Sequence, residues 1–244
     1  MQPEPARLVP IWDIATRLFH WSLVVLVAIN LLLGGKDPGL SFVVHVLTGY
    51  LVGLLLLYRL VWGLIGSPHS RFADFIAGWP AVKAYAGRLI RFDPPRFVGH
   101  NPLGGWMIVL LLATLGFIIF SGLFGAGRET SGPLAATLPQ FLAHLFGELH
   151  ELASDVLWAL IGIHVAGVLV DWLLTRENIV WAMVKGDKLL APAAAAAEPP
   201  LVGRFRAIAL AVVMIALFGA AVARTDFGSL SHSQTNRQSS LSGD

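Results

Sequence analysis

The chain has 244 residues, 56% of them hydrophobic and only 13% charged, and its mean hydropathy is +0.71. Soluble domains carry about 45–50% apolar and about 25% charged residues, so this balance excludes a disordered chain, a nucleic-acid binder and an ordinary soluble enzyme. An integral membrane protein with one bundled core remains. There are no cysteines, which excludes disulfides, thiolate metal sites, iron–sulfur clusters and cysteine nucleophiles.

Met1–Pro10 is polar and Pro-rich. It lacks the Lys/Arg-rich start and the small-residue cleavage site of a secretory signal, so the span behind it is expected to be retained. A membrane helix needs about 20 mostly apolar residues. Segments 17–34, 41–65, 103–124, 149–174 and 206–223 qualify. The second ends in Tyr58-Arg59-Leu60-Val61-Trp62, an aromatic and basic interface anchor. Phe72–Arg91 mixes apolar and basic residues as an interfacial helix does. Pro102 opens the third span as a good first-turn residue. Leu134–Phe146 repeats the interfacial pattern on the other side; a plain loop with incidental apolar residues is the alternative for both. Ala191–Pro200 reads as a linker and Arg224–Asp244 as a polar, Ser-rich tail. The expected organisation is a core over 1–190, a linker over 191–205, a fifth helix over 206–223 and a tail over 224–244.

Charge placement orients the spans. The N-terminal region carries Arg7 and Arg17. The loop after the second span carries Arg59, Arg71, Lys83, Arg88, Arg91 and Arg96. The loop after the fourth carries Arg176, Lys185, Lys188, Arg204 and Arg206. That is 13 of the 17 cations, against Lys36, Arg128, Arg224 and Arg237 on the other side. The positive-inside rule then places the N-terminus in the cytoplasm and the C-terminal tail outside.

The informative residues are the eight histidines. A histidine in hydrocarbon is costly and is a functional hypothesis by default, although a lone one is more often bonded to a neighbouring carbonyl. His20, His45 and His164 lie within spans and His150 opens the fourth. His150 and His164 are 14 residues apart, which puts them on one helix face with a rise of roughly 21 Å. From the span directions, His20 and His164 share the inner level, and His45 and His150 share the outer one. Two histidines facing each other from different helices, at two depths, is the arrangement that two bis-imidazole b haems require. Zinc is a poorer alternative, because two ligands per level are too few for its usual site.

A flat macrocycle needs small residues beside its ligands. Gly49 and Gly53 follow His45 on roughly its side of the helix, Ala153 follows His150 and Gly167 follows His164. Close helix packing explains small residues equally well. Arg17, one turn before His20, is placed for an inner propionate. Arg59, Arg88 and Arg91 are further candidates, and a solvated basic face is the alternative for them.

Several stretches in order resemble the bacterial cytochrome b561 family and its relatives, the b-type cytochrome subunits of nickel–iron hydrogenases. They are Thr16-Arg17-Leu18-Phe19-His20-Trp21, His45-Val46-Leu47-Thr48-Gly49, His100-Asn101-Pro102-Leu103-Gly104, His150-Glu151, Gly162-Ile163-His164 and Glu177–Gly186. The resemblance covers about residues 8–190. It implies an all-α, four-helix transmembrane bundle holding two b haems, with ligands at His20, His45, His150 and His164. It also implies membrane electron transfer in a respiratory chain, with quinone as a usual partner. The fifth span and the tail lie outside it.

The remaining polar residues are less telling. His100 before Pro102 could cap that helix, contact a propionate or serve a quinone proton step. His144 reads as a surface residue, His69 as solvated and His232 as chemically idle. Glu148, Glu151, Asp155 and Asp171 could relay protons or simply reach the interface. There is no Gly-rich phosphate loop and no serine nucleophile motif. Two functions follow. One is an electron-transfer subunit passing electrons across the membrane between quinone and a redox partner, such as a c-type cytochrome or a dehydrogenase subunit. The other is a non-catalytic membrane anchor or assembly subunit of a larger complex.

Overall fold

A computed structural model of the chain describes residues 5–33, 39–128 and 130–223. In chain order the elements are β1 (Arg7–Pro10), α1 (Ile14–Leu33), α2 (Leu40–Ile65), α3 (Phe72–Phe75), α4 (Trp79–Ile90), α5 (Pro102–Phe124), α6 (Gln140–Thr175), α7 (Ile179–Lys185), β2 (Asp187–Leu190), α8 (Pro192–Ala197) and α9 (Arg204–Ala223). Among the described residues four helices are long and apolar enough to cross a membrane: α1, α2, α5 and α6, with mean hydropathies of 1.7, 2.2, 2.6 and 2.0. Large apolar side chains such as Leu57, Leu110, Phe117 and Ile163 stay exposed on them. Such surface is costly in water and matched by lipid tails. The chain is a mostly helical, multi-pass membrane protein.

Helix α9 has 20 residues and an apolar run over Phe205–Ala220. The polar tail expected over 224–244, and Lys36 in the loop after α1, lie outside the described residues.

The structure divides into two compact units. The first holds Met1–His20, Tyr58–Leu111 and Leu160–Ala211; the second holds Trp21–Leu57, Leu112–Ala159 and Val212–Asp244. Helices α1, α2, α5, α6 and α9 contribute residues to both.

The first unit is knitted by short elements. β1 and β2 form an antiparallel ribbon with Arg7 opposite Leu190 and Pro10 opposite Asp187. The Gly186 carbonyl accepts from the amides of Ile11 and Trp12. Beside it Ile11, Trp12, Ala182 and Leu190 form a buried cluster, on which Ala194 and Ala195 pack. The stretch read as a linker is therefore helical over 192–197 and tied down, with the Val202 amide donating to Ser67 Oγ at 3.1 Å. The single interfacial helix expected over Phe72–Arg91 is instead two, α3 and α4. Gly78 caps α4 and Pro80 sits in its first turn, where its ring forbids continuing the preceding helix. His69, expected to be solvated, pairs instead with Glu198 at 2.7 Å.

In the second unit the outer interfacial helix expected over Leu134–Phe146 is not a separate element. Ala135–Thr137 makes one 3-10 turn, and the residues from Gln140 are the start of the 36-residue α6. Pro139 divides the two, its carbonyl accepting from Leu142 and Ala143 at the helix start.

Candidate functional site

In the second unit His45 projects from α2 and His150 from α6. Their ring centres are 6.0 Å apart with planes 81° to each other. A metal–imidazole bond is about 2 Å, so the gap suits one metal atom with a nitrogen on each side. The protein itself orients His150. Its Nδ1 lies 2.9 Å from the Ile118 carbonyl. A carbonyl only accepts, so Nδ1 carries the proton and Nε2 keeps its lone pair for a ligand. His45 is positioned by stacking on Phe42, 6.4 Å away and 14° from parallel.

Both rings line a cavity of about 370 Å³, within the range of cofactor sites. Phe42, Val46, Leu115 and Ile119 supply apolar wall, and Glu151, Ser154 and Asp155 supply polar groups. A Cβ on Gly49 would meet nothing within 4 Å, so this wall is open beside His45. Gly53 is different, since a Cβ there would rest on Ile119 at 3.5 Å. Gly122 of α5 is the tightest position: a Cβ would stand 2.8 Å from His150 Cε1. Only glycine lets the imidazole lie against α5.

In the first unit His20 of α1 and His164 of α6 are half-buried electrostatic neighbours. The same unit holds several buried polar groups. Asp13, buried at 5% exposure, caps α1 by accepting from the Thr16 amide at 2.7 Å. Its other oxygen accepts from Ser70 Oγ at 2.9 Å and from Trp62 Nε1 at 3.2 Å. Ser70 Oγ has spent its proton on Asp13, so Thr16 Oγ1 donates to it at 2.7 Å. Arg59 is only 3% exposed. Its guanidinium lies 5.0 Å from the Phe72 ring centre and 5.7 Å from that of Phe75. Gly63, one turn on, allows this, because a Cβ there would collide with the Phe72 ring. Arg17 donates through Nη1 to the Val184 carbonyl at 2.7 Å, at the end of α7.

His100 stands before α5, between Trp12 at 4.6 Å and Phe75 at 4.9 Å. Burial, then the charge of Arg59 and smaller effects of His69, Lys188 and His164, hold its pKa down to about 3. His100 is thus a neutral imidazole at ordinary pH, with one N–H to give. Asp171 accepts from Tyr85 Oη at 3.0 Å and from Asn101 Nδ2 at 3.1 Å, which anchors α4 to α6. Burial, and then the Asp171 carboxylate, push the Tyr85 hydroxyl pKa up. His144 is exposed near Gln140.

Among the described residues no cluster of three or more His, Asp or Glu could hold a metal ion alone. The histidines come as two pairs instead, and paired imidazoles with an open glycine wall suit a flat macrocycle whose own nitrogens complete the coordination. Residues 11–186 match the family described as prokaryotic cytochrome b561. The chain belongs to that family. Its relatives include proteins named probable Ni/Fe-hydrogenase B-type cytochrome subunit. The one from Rhizobium leguminosarum bv. viciae is 23% identical over 215 residues, covering 73% of this chain and 88% of the relative. Those from Bradyrhizobium diazoefficiens and Cupriavidus necator are 24% and 25% identical, covering 73% and 72% of this chain and 85% of each relative. No solved structure matches the chain. As a family member it is a membrane b-type haem cytochrome of electron transport.

The structure brings His45 and His150 together on the cavity that Gly49 also lines; in the other unit His20 neighbours His164, and His100 neighbours both His164 and Arg59, while Arg17 is held at Val184. Arg88 pairs with Asp93 at 2.9 Å on the surface. Sequence reading missed Gly122 and Asp13. Gly122 owes its importance to a ring 28 positions away. Asp13 did carry a signal: an aspartate directly before an apolar helical run is a strong cap.

Proposed function

We propose that this protein is a dihaem cytochrome carrying electrons across the membrane. His20 and His164 would ligate the inner haem, and His45 and His150 the outer one. The observation that carries the reading is the His45–His150 pair, 6.0 Å apart across a cofactor-sized cavity, with His150 Nε2 left free by its Nδ1 bond. Bound haem supplies a one-electron iron couple, tuned by its axial ligands and surroundings. The chain's residues would hold, orient and desolvate it: Gly49 leaves the wall open, Gly122 lets His150 lie against α5, and Arg17 and His100 would serve the inner haem. The core would span residues 1–190, followed by a short connection and a fifth helix over 206–223 packed on the rim or on another subunit.

Thirteen cations against four support a cytoplasmic N-terminus and a periplasmic tail over 224–244. The relatives are named as hydrogenase cytochrome subunits, which supports a membrane redox complex of hydrogenase type as one electron partner. Membrane quinone would be the other. The test is the pyridine haemochrome count and visible spectrum of the purified full chain. Two low-spin b haems per chain are expected. One or none would sink the dihaem reading, and none would favour a haem-free anchor.

A further inference from the structure

In the first unit the buried polar atoms without a hydrogen-bond partner include one on Arg59 and one on His100. Arg59 Nη1 has no hydrogen bond, although the residue is only 3% exposed. His100 Nδ1 is buried in the same condition. Both residues pack on one ring, Phe75, at 5.7 and 4.9 Å. Asp13 attracts this guanidinium but gives it no hydrogen bond, and a buried N–H left unmet is costly. Both Asp13 oxygens are taken by Thr16, Ser70 and Trp62, and Arg59 makes no hydrogen bond to them. Two free donors, one permanently cationic and one neutral, match the two oxygens of a carboxylate. His100 is also an electrostatic neighbour of His164, so the site adjoins the inner histidine pair.

We propose that Arg59 and His100 form a carboxylate-binding site that holds a propionate of the inner haem. This rests on the dihaem reading and on His164 as an inner ligand. Arg59 supplies the charge and Phe72 and Phe75 exclude water around it. His100, wedged between Trp12 and Phe75, supplies a directed N–H.

The test uses the detergent-solubilised full chain, with its haem 13C-labelled at the propionate carboxyls. Redox-difference infrared spectra identify the labelled bands, and transfer to excess apomyoglobin measures haem retention. R59M keeps the length of the side chain and removes its charge. H100F keeps the ring between Trp12 and Phe75 and removes its nitrogens. Each is expected to shift the labelled bands of one haem and to weaken its retention about tenfold to a hundredfold, the range of a lost charged hydrogen bond. R59K should restore part of both. The band shift should vanish in an H20A background, where the inner haem is gone. If R59M is not recovered from membranes, H100F and R59K report on the same bands. Labelled bands unmoved in both R59M and H100F, with haem retained, would overturn the inference and leave the dihaem reading standing. A shift that persists in H20A would overturn it too, because the carboxylate would then belong elsewhere. A wild-type count below two haems would remove the dihaem reading and this inference together.

Discussion

The two histidine pairs share a ligand chemistry and differ in their surroundings. The first unit, which holds His20 and His164, buries charge: Arg59 at 3% exposure and Asp13 at 5%, with His100 neutral near Arg59. Around His45 and His150 the second unit opens a mostly apolar cavity. Its charged lining among the described residues is Glu151 and Asp155, and no lysine or arginine lines it. On the dihaem reading two imidazoles hold each haem, and the neighbouring charges decide how readily it is reduced. A ferric haem carries one more positive charge than a ferrous one. A buried cation favours the reduced form and nearby carboxylates favour the oxidised form. On the dihaem reading the first unit's site holds electrons more tightly than the second's.

The largest effect comes from removing ligands. H45A and H150A should each cost the same haem, and H20A and H164A the other. Redox titration with haem counting checks this: each pair of variants should lose one and the same midpoint. Loss of the same haem from H20A and H150A would break the division on which the comparison stands.

Backbone packing gives the next effect, and it should fall on one site alone. A methyl on Gly122 would meet His150 Cε1 at 2.8 Å and Nδ1 at 2.9 Å. Overpacking of this kind costs about 1–3 kcal/mol, so G122A should weaken haem retention in the second unit roughly tenfold to a hundredfold. Retention in the first unit should not change. G53A is the control, since its methyl only touches Ile119 at 3.5 Å. Equal haem transfer to apomyoglobin from G122A and wild type would show that α6 can yield at no cost.

These positions also mark what was legible in the sequence. Long apolar runs with sparse charge announce membrane helices by composition, so α1, α2, α5 and α6 were readable to within a few residues at most ends. His20, His45, His150 and His164 stood out as candidates because an imidazole in an apolar run is costly and because their span directions set them in two levels. Elements that depend on tertiary contact did not stand out. The ribbon of β1 and β2 has four residues a side and is held by the 11–12 turn against Gly186, so no local pattern marks it. The break between α3 and α4 needed Gly78 and Pro80 to be weighed above the periodicity around them. Gly122 is one of 25 glycines. Nothing local distinguishes it, because its role depends on the register of α5 against His150. Arg59 read as an interface anchor because arginine at a span end usually reaches water, whereas Gly63 lets Phe72 close over it.

The smallest effect tests the electrostatic half of the comparison. Glu151 and Asp155 line the second cavity, yet both are exposed, so solvent and salt screen them. At a separation of about 10 Å and an effective dielectric constant near 20, one charge is worth roughly 1–2 kcal/mol before screening. Exposure cuts that to a fraction. The double variant E151Q/D155N should therefore move the reduction equilibrium of one haem toward the ferrous form by about threefold to tenfold. The other haem should stay where it was. The shift should shrink as salt is raised, because exposed carboxylates are screened whereas the buried Arg59 is not. A midpoint unmoved at low salt would mean that the carboxylates point away from the bound group. Both midpoints moving together would mean that the two sites share one electrostatic environment, and their difference would then need another cause.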